Sequence, residues 1–191
     1  MKIGKNVRLG FNVVLEEGCE IGDNCIIGHN VVFRHHTIVG HDSVVSHQCV
    51  SEGDCWIGHH TTIEPQCHLT MGMKIGNYCF FGPGVITTNT RDIAHHRAYS
   101  TKINPPIIGN GVRIGGGVIL APGTFLGDNT LVKCGTRKGG SLPGCMAVRE
   151  SISYVYALQS EDERLVTNES KDIVANSDEC ELCIPESETH G

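Results

Sequence analysis

Side chains that can move protons or hold anions are concentrated in one stretch of the chain, residues 88–106. Imidazole is the usual proton carrier near neutral pH, and this stretch contains the adjacent pair His95 and His96. Charged and phenolic side chains surround the pair, namely Arg91, Asp92, Arg97, Tyr99 and Lys102. This composition is unlike that of a flexible linker. It predicts a functional segment in which a histidine acts as general base.

These residues must be positioned by a chain with a six-residue sequence repeat. Apolar residues recur at every sixth position from Ile3 to Phe81, with Ser51 as the exception, and again in a shifted frame from Ile108 to Val132. A small residue stands four positions after each apolar one, and glycine often follows the apolar residue directly. Six residues are three pleats of a strand and no whole number of helical turns, so the repeat predicts short strands. Both rows can be buried only if the chain coils and the coils stack, with the glycine allowing the sharp turn between strands.

This repeat resembles that of the hexapeptide-repeat family, from Ile3 to about Val148. The resemblance implies an all-β fold, the left-handed parallel β-helix of triangular section, with three hexads per coil. It also implies a homotrimeric acyltransferase. The frame is lost between about Thr87 and Pro106, where the resemblance implies a protruding loop that reaches toward the neighbouring subunit.

Two segments resemble sugar acetyltransferases within this family. Residues 81–85 with Thr88-Asn89-Thr90-Arg91 resemble the nucleotide-sugar amino-N-acetyltransferases, and residues 106–117 resemble the maltose and galactoside O-acetyltransferases. Both resemblances imply transfer of an acetyl group from acetyl-CoA to an amino or hydroxyl group of a sugar or nucleotide sugar, by direct attack. Where the O-acetyltransferases place a catalytic histidine, this chain has Arg91-Asp92.

The resemblance implies an active site between subunits, beside the 88–106 loop. The expected catalytic residues are His95, His96 and Asn89. The expected substrate-binding residues are Arg91, Asp92, His68, Arg97 and Tyr99. The pair His41-Asp42 resembles the general base of sugar N-acetyltransferases related to sialic-acid biosynthesis, and it is an alternative base because a carboxylate orients an imidazole.

Expected cofactor-binding residues come after the loop. Gly115, Gly116 and Gly117 leave backbone exposed, and the resemblance implies that a pantetheine arm runs beside them. The resemblance also implies that the cations Lys133, Arg137 and Lys138 hold the phosphates of CoA. Acetyl-CoA is thus the expected co-substrate, and no metal is expected. The family's Gly-Asn-Pro after the last coil is replaced by Arg149-Glu150-Ser151.

Two functions of other classes stay open. A row of histidines, each two residues after an apolar residue, is predicted to point outward; it comprises His29, His35, His41, His47 and His59. The γ-class carbonic anhydrases, which share the fold, hold a metal ion between subunits with such side chains. His36 and His41 have the five-residue spacing of that class, but Lys5 occupies the position of its third ligand. A non-catalytic β-helix scaffold, with the tail as a partner-binding segment, is the other alternative.

Most of the ten cysteines are predicted to be buried. Six occupy the small inward position of the repeat, namely Cys19, Cys25, Cys49, Cys55, Cys67 and Cys79. A thiol there is a compact apolar filler, and many free thiols are typical of a reducing compartment. The sequence Cys180-Glu181-Leu182-Cys183 is a lone CxxC motif and only weakly indicates zinc.

Charge and length complete the expectations. The net charge is −6, and residues 161–191 hold ten acidic against two basic residues, so the body carries about +2. This balance does not favour a nucleic-acid partner, and no apolar run has the length of a membrane span. Because the repeat begins at Ile3, no signal peptide is expected and the predicted location is cytoplasmic. The predicted parts are a β-helix over 1–148, a short helical cap over 149–165, and an acidic, flexible tail over 166–191.

Overall fold

A computed structural model describes residues 1–92, 95–96 and 102–148, together with the backbone of a strand at Ile173–Val174. The structure confirms the predicted fold, since the described chain is a left-handed parallel β-helix of about eight coils. Two-residue strands form three parallel sheets, here called faces A, B and C, and the corners between faces are called edges A–B, B–C and C–A. No helix occurs in these described ranges.

The strands follow the repeat along the chain, with every third strand on the same face. Face A contains β1 (Lys2–Ile3), β4 (Glu20–Ile21), β7 (Ile38–Val39), β10 (Trp56–Ile57), β13 (Lys74–Ile75), β16 (Ile107–Ile108), β19 (Phe125–Leu126) and β22 (Ser141–Leu142). Face B contains β2 (Arg8–Leu9), β5 (Ile26–Ile27), β8 (Val44–Val45), β11 (Thr62–Ile63), β14 (Phe80–Phe81), β17 (Arg113–Ile114), β20 (Leu131–Val132) and β23 (Ala147–Val148), with β24 (Ile173–Val174) antiparallel to β23. Face C contains β3 (Val14–Leu15), β6 (Val32–Phe33), β9 (Val50–Ser51), β12 (His68–Leu69), β15 (Ile86–Thr87), β18 (Ile119–Leu120) and β21 (Arg137–Lys138).

One coil is longer than the others. Paired residues on successive coils are 18 positions apart, as in the pair Lys2 and Glu20. Lys74 and Ile107 are paired although they are 33 positions apart. Strand β15 ends at Thr87 on face C and β16 begins at Ile107 on face A, so the regular coil is interrupted at edge C–A. This segment, residues 88–106, is called the insertion below.

The core is a column of side chains, mostly apolar, from the second residue of the strands, and small inward residues fill the space between them. Buried members include Ile27, Ile57 and Phe81. All six cysteines predicted to be buried are at most 2% exposed. Their thiols, like the hydroxyls at equivalent positions, donate to corner carbonyls of the next coil; Cys67 Sγ lies 3.2 Å from the Gly82 oxygen. A thiol or hydroxyl therefore satisfies a buried acceptor as well as filling space. Cys145, off this row, is disulfide-bonded.

The glycine after each apolar residue has a different role from the one predicted. The left-handed backbone conformation falls two positions later, for example at Asn12 with φ +57° and Asn30 with φ +56°. Gly10 itself has no positive φ. A Cβ at Gly10 would instead lie 2.6 Å from the Gly28 carbonyl carbon. Glycine is required there because successive coils approach closely, and the turn is supplied by residues that tolerate the left-handed region, above all asparagine.

The predicted helical cap over 149–165 lies outside the described residues, as does the tail over 166–191 apart from the β24 backbone. Within the part of the chain that the structure describes, no helix is long and apolar enough to span a membrane.

Candidate active site

A histidine and a carboxylate from successive coils meet beside the root of the insertion. His68 is the outward residue of β12 on face C, and Glu52 directly follows β9, one coil earlier. Nε2 of His68 lies 3.3 Å from Oε1 of Glu52. Both side chains are about one-third exposed, at 38% and 36%, so the pair is open to a ligand yet partly withdrawn from water.

Glu52 is held by the first residues of the neighbouring corner. Its Oε2 accepts hydrogen bonds from the Thr70 hydroxyl at 3.0 Å and from the Met71 backbone N–H at 3.2 Å. Burial alone would raise the pKa of Glu52. The hydrogen bonds from Met71 and Thr70 and the nearby His68 imidazole lower it by more, so the pKa of Glu52 lies below its ordinary value. Glu52 is therefore a fixed anion at neutral pH.

The other ring nitrogen of His68 is oriented by the backbone. Nδ1 lies 3.3 Å from the Thr87 carbonyl oxygen, at the end of the last strand before the insertion. A carbonyl oxygen only accepts, so this contact assigns a proton to Nδ1. Nε2, which carries no proton in this tautomer, faces the anionic carboxylate of Glu52 and is the nitrogen that can take a proton from a bound substrate. This is the geometry of a histidine positioned for general acid–base chemistry.

Asn89 closes the neck of the insertion. The side-chain Nδ2 of Asn89 donates to the Met71 backbone carbonyl at 3.5 Å. The backbone carbonyl of Asn89 accepts a hydrogen bond from the Asn104 backbone N–H at 2.7 Å. The Asn104 carbonyl in turn accepts the Gly123 N–H at 2.7 Å. Since Met71 contacts both Glu52 and Asn89, the predicted catalytic asparagine and the His68–Glu52 pair share one corner residue.

The other residues predicted in the insertion are only partly described. His95 and His96 are exposed, and their rings meet edge to face with centroids 4.0 Å apart. Within the described residues their only ring contact is with each other. Arg91 and Asp92 are exposed at the start of the insertion. Arg97 and Tyr99 lie outside the described residues.

The predicted cofactor-binding residues lie away from the insertion. Residues 115–117 form a corner at edge B–C, where a Cβ added at Gly117 would have no atom within 4 Å. Lys133 follows β20 at the same edge and is exposed. Arg137 projects outward from face C, whereas Lys138 points into the prism and is only 7% exposed, so burial lowers its pKa. Lys138 is therefore not part of one exposed cationic cluster with Lys133 and Arg137.

The alternative base and the proposed metal pair lie at other positions. His41 and Asp42 are at edge A–B, with Nδ1 to Oδ2 at 2.6 Å, and hydrogen bonds from His41 and from Asn24 lower the pKa of Asp42. His36 is at edge C–A, where its Nδ1 lies 3.2 Å from Asp54 Oδ1. His36 and His41 therefore occupy different edges of one prism and do not share a ligand site within one chain.

Glu52 is the residue of this site that the sequence reasoning missed. It lies 16 positions before His68, and nothing local marks it. Counting 18 residues per coil would have placed Glu52 beside Thr70, on the corner that follows His68. The 18-residue coil length was therefore enough to predict that Glu52 lies near the His68 strand.

Comparisons with known proteins agree with the repeat and the fold. Residues 1–35 match the bacterial transferase hexapeptide family (six repeats), and residues 105–136 match the hexapeptide repeat of succinyl-transferase. The bifunctional protein GlmU of Synechococcus sp. (strain CC9311) is 33% identical over 76 residues, which are 40% of this chain and 17% of that protein. GlmU of Prochlorococcus marinus (strain NATL2A) is 34% identical over 79 residues, 41% of this chain and 18% of its own length. The chain thus spans less than a fifth of these relatives.

Two solved structures share the fold over most of the chain. The polySia-specific acetyltransferase NeuO has a TM-score of 0.53 at 18% identity, covering 85% of this chain and 92% of its own. The polysialic acid O-acetyltransferase OatWY has a TM-score of 0.52 at 18% identity, and the match covers 87% of this chain and 98% of its own. The two repeat matches thus lie on one continuous β-helix, and the two solved structures share its left-handed β-helix fold.

Proposed function

We propose that this protein is an acetyltransferase that moves an acetyl group from acetyl-CoA to an amino or hydroxyl group of a sugar or nucleotide sugar. The names of the two structural neighbours, both acetyltransferases of a sugar polymer, support the reaction and the substrate class. The observation that carries the proposal is the His68–Glu52 pair beside the root of the insertion, because acyl transfer to a hydroxyl group needs a positioned base.

In the proposed reaction the acceptor attacks the thioester carbonyl directly. Nε2 of His68 takes the proton from the attacking hydroxyl or amino group as the new bond to the acetyl carbon forms. The bond from that carbon to sulfur then breaks, and CoA leaves as the thiol after the His68 imidazolium gives its proton to the sulfur. Glu52 stabilises the imidazolium formed in the first step because its carboxylate is anionic and 3.3 Å away.

His95, His96 and Asn89 remain part of the proposal. Because the Thr87 carbonyl orients the His68 ring through Nδ1 and Glu52 lies beside Nε2, His68 is the better positioned base, and His95 and His96 contact the acceptor from the insertion. Arg91 and Asp92 contact the acceptor from the same segment. Arg97 and Tyr99, outside the described residues, have the same proposed role. Asn89 uses one amide N–H on Met71, and its second N–H is available to the substrate.

The proposed cofactor site requires a second subunit. The insertion leaves at edge C–A, whereas residues 115–117 and Lys133 lie at edge B–C, across face C. Packing of prisms side by side in a homotrimer brings the insertion of one subunit to the glycine edge of the next, and CoA binds between them. Lys133 and Arg137 face the CoA phosphates. Light scattering of the purified protein should give three times the 20.6 kDa chain mass, and a monomer that turns over would contradict this arrangement.

The direct test is an assay with purified protein, acetyl-CoA and a panel of amino sugars, sialic acids and nucleotide sugars. Release of the CoA thiol is measured with a colorimetric thiol reagent, and the acetylated product is identified by mass spectrometry. We expect thiol release that depends on one class of sugar and a product that carries one added acetyl group. No turnover with any sugar, together with no thermal stabilisation by acetyl-CoA, would overturn the proposal and favour a scaffold.

A further inference from the structure

Three histidines that the proposed reaction does not use meet at edge A–B. His41 and His59 take the second corner position on successive coils, and His60 follows with a φ of +53°. Their ligating nitrogens all lie within 4.8 Å of one another. The coil stacking therefore gathers three imidazoles that are up to 19 positions apart in the chain.

The three rings have a defined arrangement. The rings of His41 and His59 are stacked, with centroids 4.7 Å apart and planes 5° apart. His60 meets both edge to face, at 5.3 Å and 5.2 Å. Tyr78 from the next coil stacks on His60 at 4.9 Å and supports its orientation. The cluster is thus an arranged group at one edge and does not consist of separate surface side chains.

A carboxylate sets the tautomer of His41. Asp42 Oδ2 lies 2.6 Å from His41 Nδ1, and an ionised carboxylate only accepts, so Nδ1 carries the proton and Nε2 is a free electron-pair donor. Histidines that bind metal commonly donate their other N–H to a carboxylate in this way. His41 is therefore prepared for a cation on its outer nitrogen.

His59 differs from the stacked histidines at edge B–C. There, Nδ1 of His29 accepts the Phe11 N–H and Nδ1 of His47 accepts the His29 N–H, both at 2.8 Å. The Nδ1 of His59 is buried and has no hydrogen-bond partner among the described residues. Among the described residues, His59 therefore does not use Nδ1 to accept a hydrogen bond between coils as His29 and His47 do.

We propose that His41, His59 and His60 form a binding site for a first-row transition-metal ion, with Zn²⁺ as the reference ion. Imidazole is a preferred ligand of Zn²⁺, Ni²⁺ and Cu²⁺. With zinc–nitrogen distances of about 2.0–2.1 Å, three nitrogens must approach to roughly 3.3 Å from one another, so on binding the cluster contracts and the parallel rings of His41 and His59 turn toward the ion. His41 and His60 are exposed and free to make that movement. A water molecule takes the fourth position, and the ion joins two successive coils.

Asparagine substitutions test the site without disturbing the coil. Asn77 and Asn110 occupy the position of His59 on later coils, and each accepts a backbone N–H from the preceding coil through Oδ1. Asn24 and Asn129 occupy the position of His60 with positive φ. The double variant His59→Asn/His60→Asn should therefore fold like the wild type. In the full chain, its zinc stoichiometry by titration calorimetry should be one ion lower than that of the wild type.

Two control variants locate the loss. His47→Asn removes a stacked histidine at edge B–C, and His36→Asn removes one from the second group of possible ligands, His35, His36 and Asp54. Both should keep the wild-type stoichiometry and the zinc-dependent rise in Tm, whereas Asp42→Asn should weaken zinc binding by roughly 10- to 100-fold. The proposal would be overturned by unchanged zinc binding in His59→Asn/His60→Asn. It would also be overturned if His36→Asn were the variant that binds one zinc ion fewer. Either outcome leaves acetyl transfer untested, so the two proposals fail separately.

Discussion

Nε2 of His68 and Oε1 of Glu52 lie 3.3 Å apart, and this contact joins a strand of face C to the corner of the preceding coil. The same carboxylate accepts hydrogen bonds from Thr70 and Met71, the first two corner residues after the His68 strand. Because Met71 also accepts the Asn89 amide, the contact links the regular prism to the neck of the insertion. The imidazole proposed as the base is thus positioned by the same corner that holds the start of the insertion.

The lowered pKa of Glu52 predicts an acid-dependent contribution to stability. Because the pKa in the folded protein is below its ordinary value of 4.5, Glu52 stabilises the fold above pH 4.5, and this contribution is lost as the pH falls through the folded value. Urea unfolding at fixed protein concentration should show Glu52→Gln less stable than wild type at pH 7, with a difference that shrinks below pH 4.5. A difference that stays constant down to pH 3 would contradict the assigned hydrogen bonds. Glu17→Gln, at an exposed corner, is the control.

The two histidines of the insertion are predicted to act on the acceptor. Replacing both His95 and His96 with Ala should raise KM for the sugar about tenfold while kcat falls less, because uniform binding is lost and His68 is still present. Steady-state kinetics with varied sugar and saturating acetyl-CoA measure this. A fall in kcat of roughly 100-fold or more, with KM unchanged, would assign the base to His95 or His96 instead.

Close stacking predicts different costs for two neighbouring glycines at edge B–C. A Cβ at Gly82 would lie 2.5 Å from the Gly116 nitrogen, whereas one at Gly84 would have nothing within 4 Å although φ is +68°. Gly82→Ala should lower the free energy of unfolding by about 3 kcal/mol or more, because the neighbouring backbone must move. Gly84→Ala should cost about 1–2 kcal/mol from the left-handed conformation alone. Denaturant unfolding measures both.

Gly84→Asn provides the matched control for this pair. Asparagine occupies the equivalent left-handed corner position at Asn12 and Asn30, so the variant should be close to wild type. If Gly82→Ala were as mild as Gly84→Asn, the coils would not be as closely stacked as the structure describes.

Cysteine reactivity should separate the inward row from the surface. Burial raises the pKa of Cys79 to about 11, and its side chain is 2% exposed, whereas Cys134 is exposed. Brief alkylation of native protein at pH 8 should modify Cys134 and leave Cys79 unmodified, because the thiolate is the reactive form. Peptide mass spectrometry identifies the labelled sites, and unfolding in urea should make Cys79 react. Equal labelling of both in the native protein would contradict the inward position.

The fold could be predicted because the repeat constrains every coil in the same way. The apolar row and the small inward row are so regular that the repeat alone assigns Cys25, Cys49 and Cys67 to the interior, where the structure has them. Continuing the second frame six residues beyond Val132 also gives Lys138, which lies inside the prism as that count requires. The glycine rule failed because sequence alone does not separate a strained turn from a close approach between coils.

The site was harder to predict because contacts between coils depend on side chains at different corner positions. His68 and Glu52 are on different strands, and only the stacking of faces brings their side chains together. The same holds for His41 with His59 and His60, whose grouping requires knowledge of which corner positions share an edge. The insertion has no repeat, so its residues were identified by type and could not be positioned.

The most direct test of the acetyltransferase account is the kinetic effect of His68→Gln on acetyl transfer to the best sugar of the panel. The glutamine keeps a polar side chain on face C but cannot take up a proton near neutral pH. With folding verified by circular dichroism and by an unchanged assembly, kcat should fall roughly 100-fold or more, while His47→Gln at edge B–C leaves it unchanged. A His68→Gln variant that turns over at the wild-type rate would contradict the account.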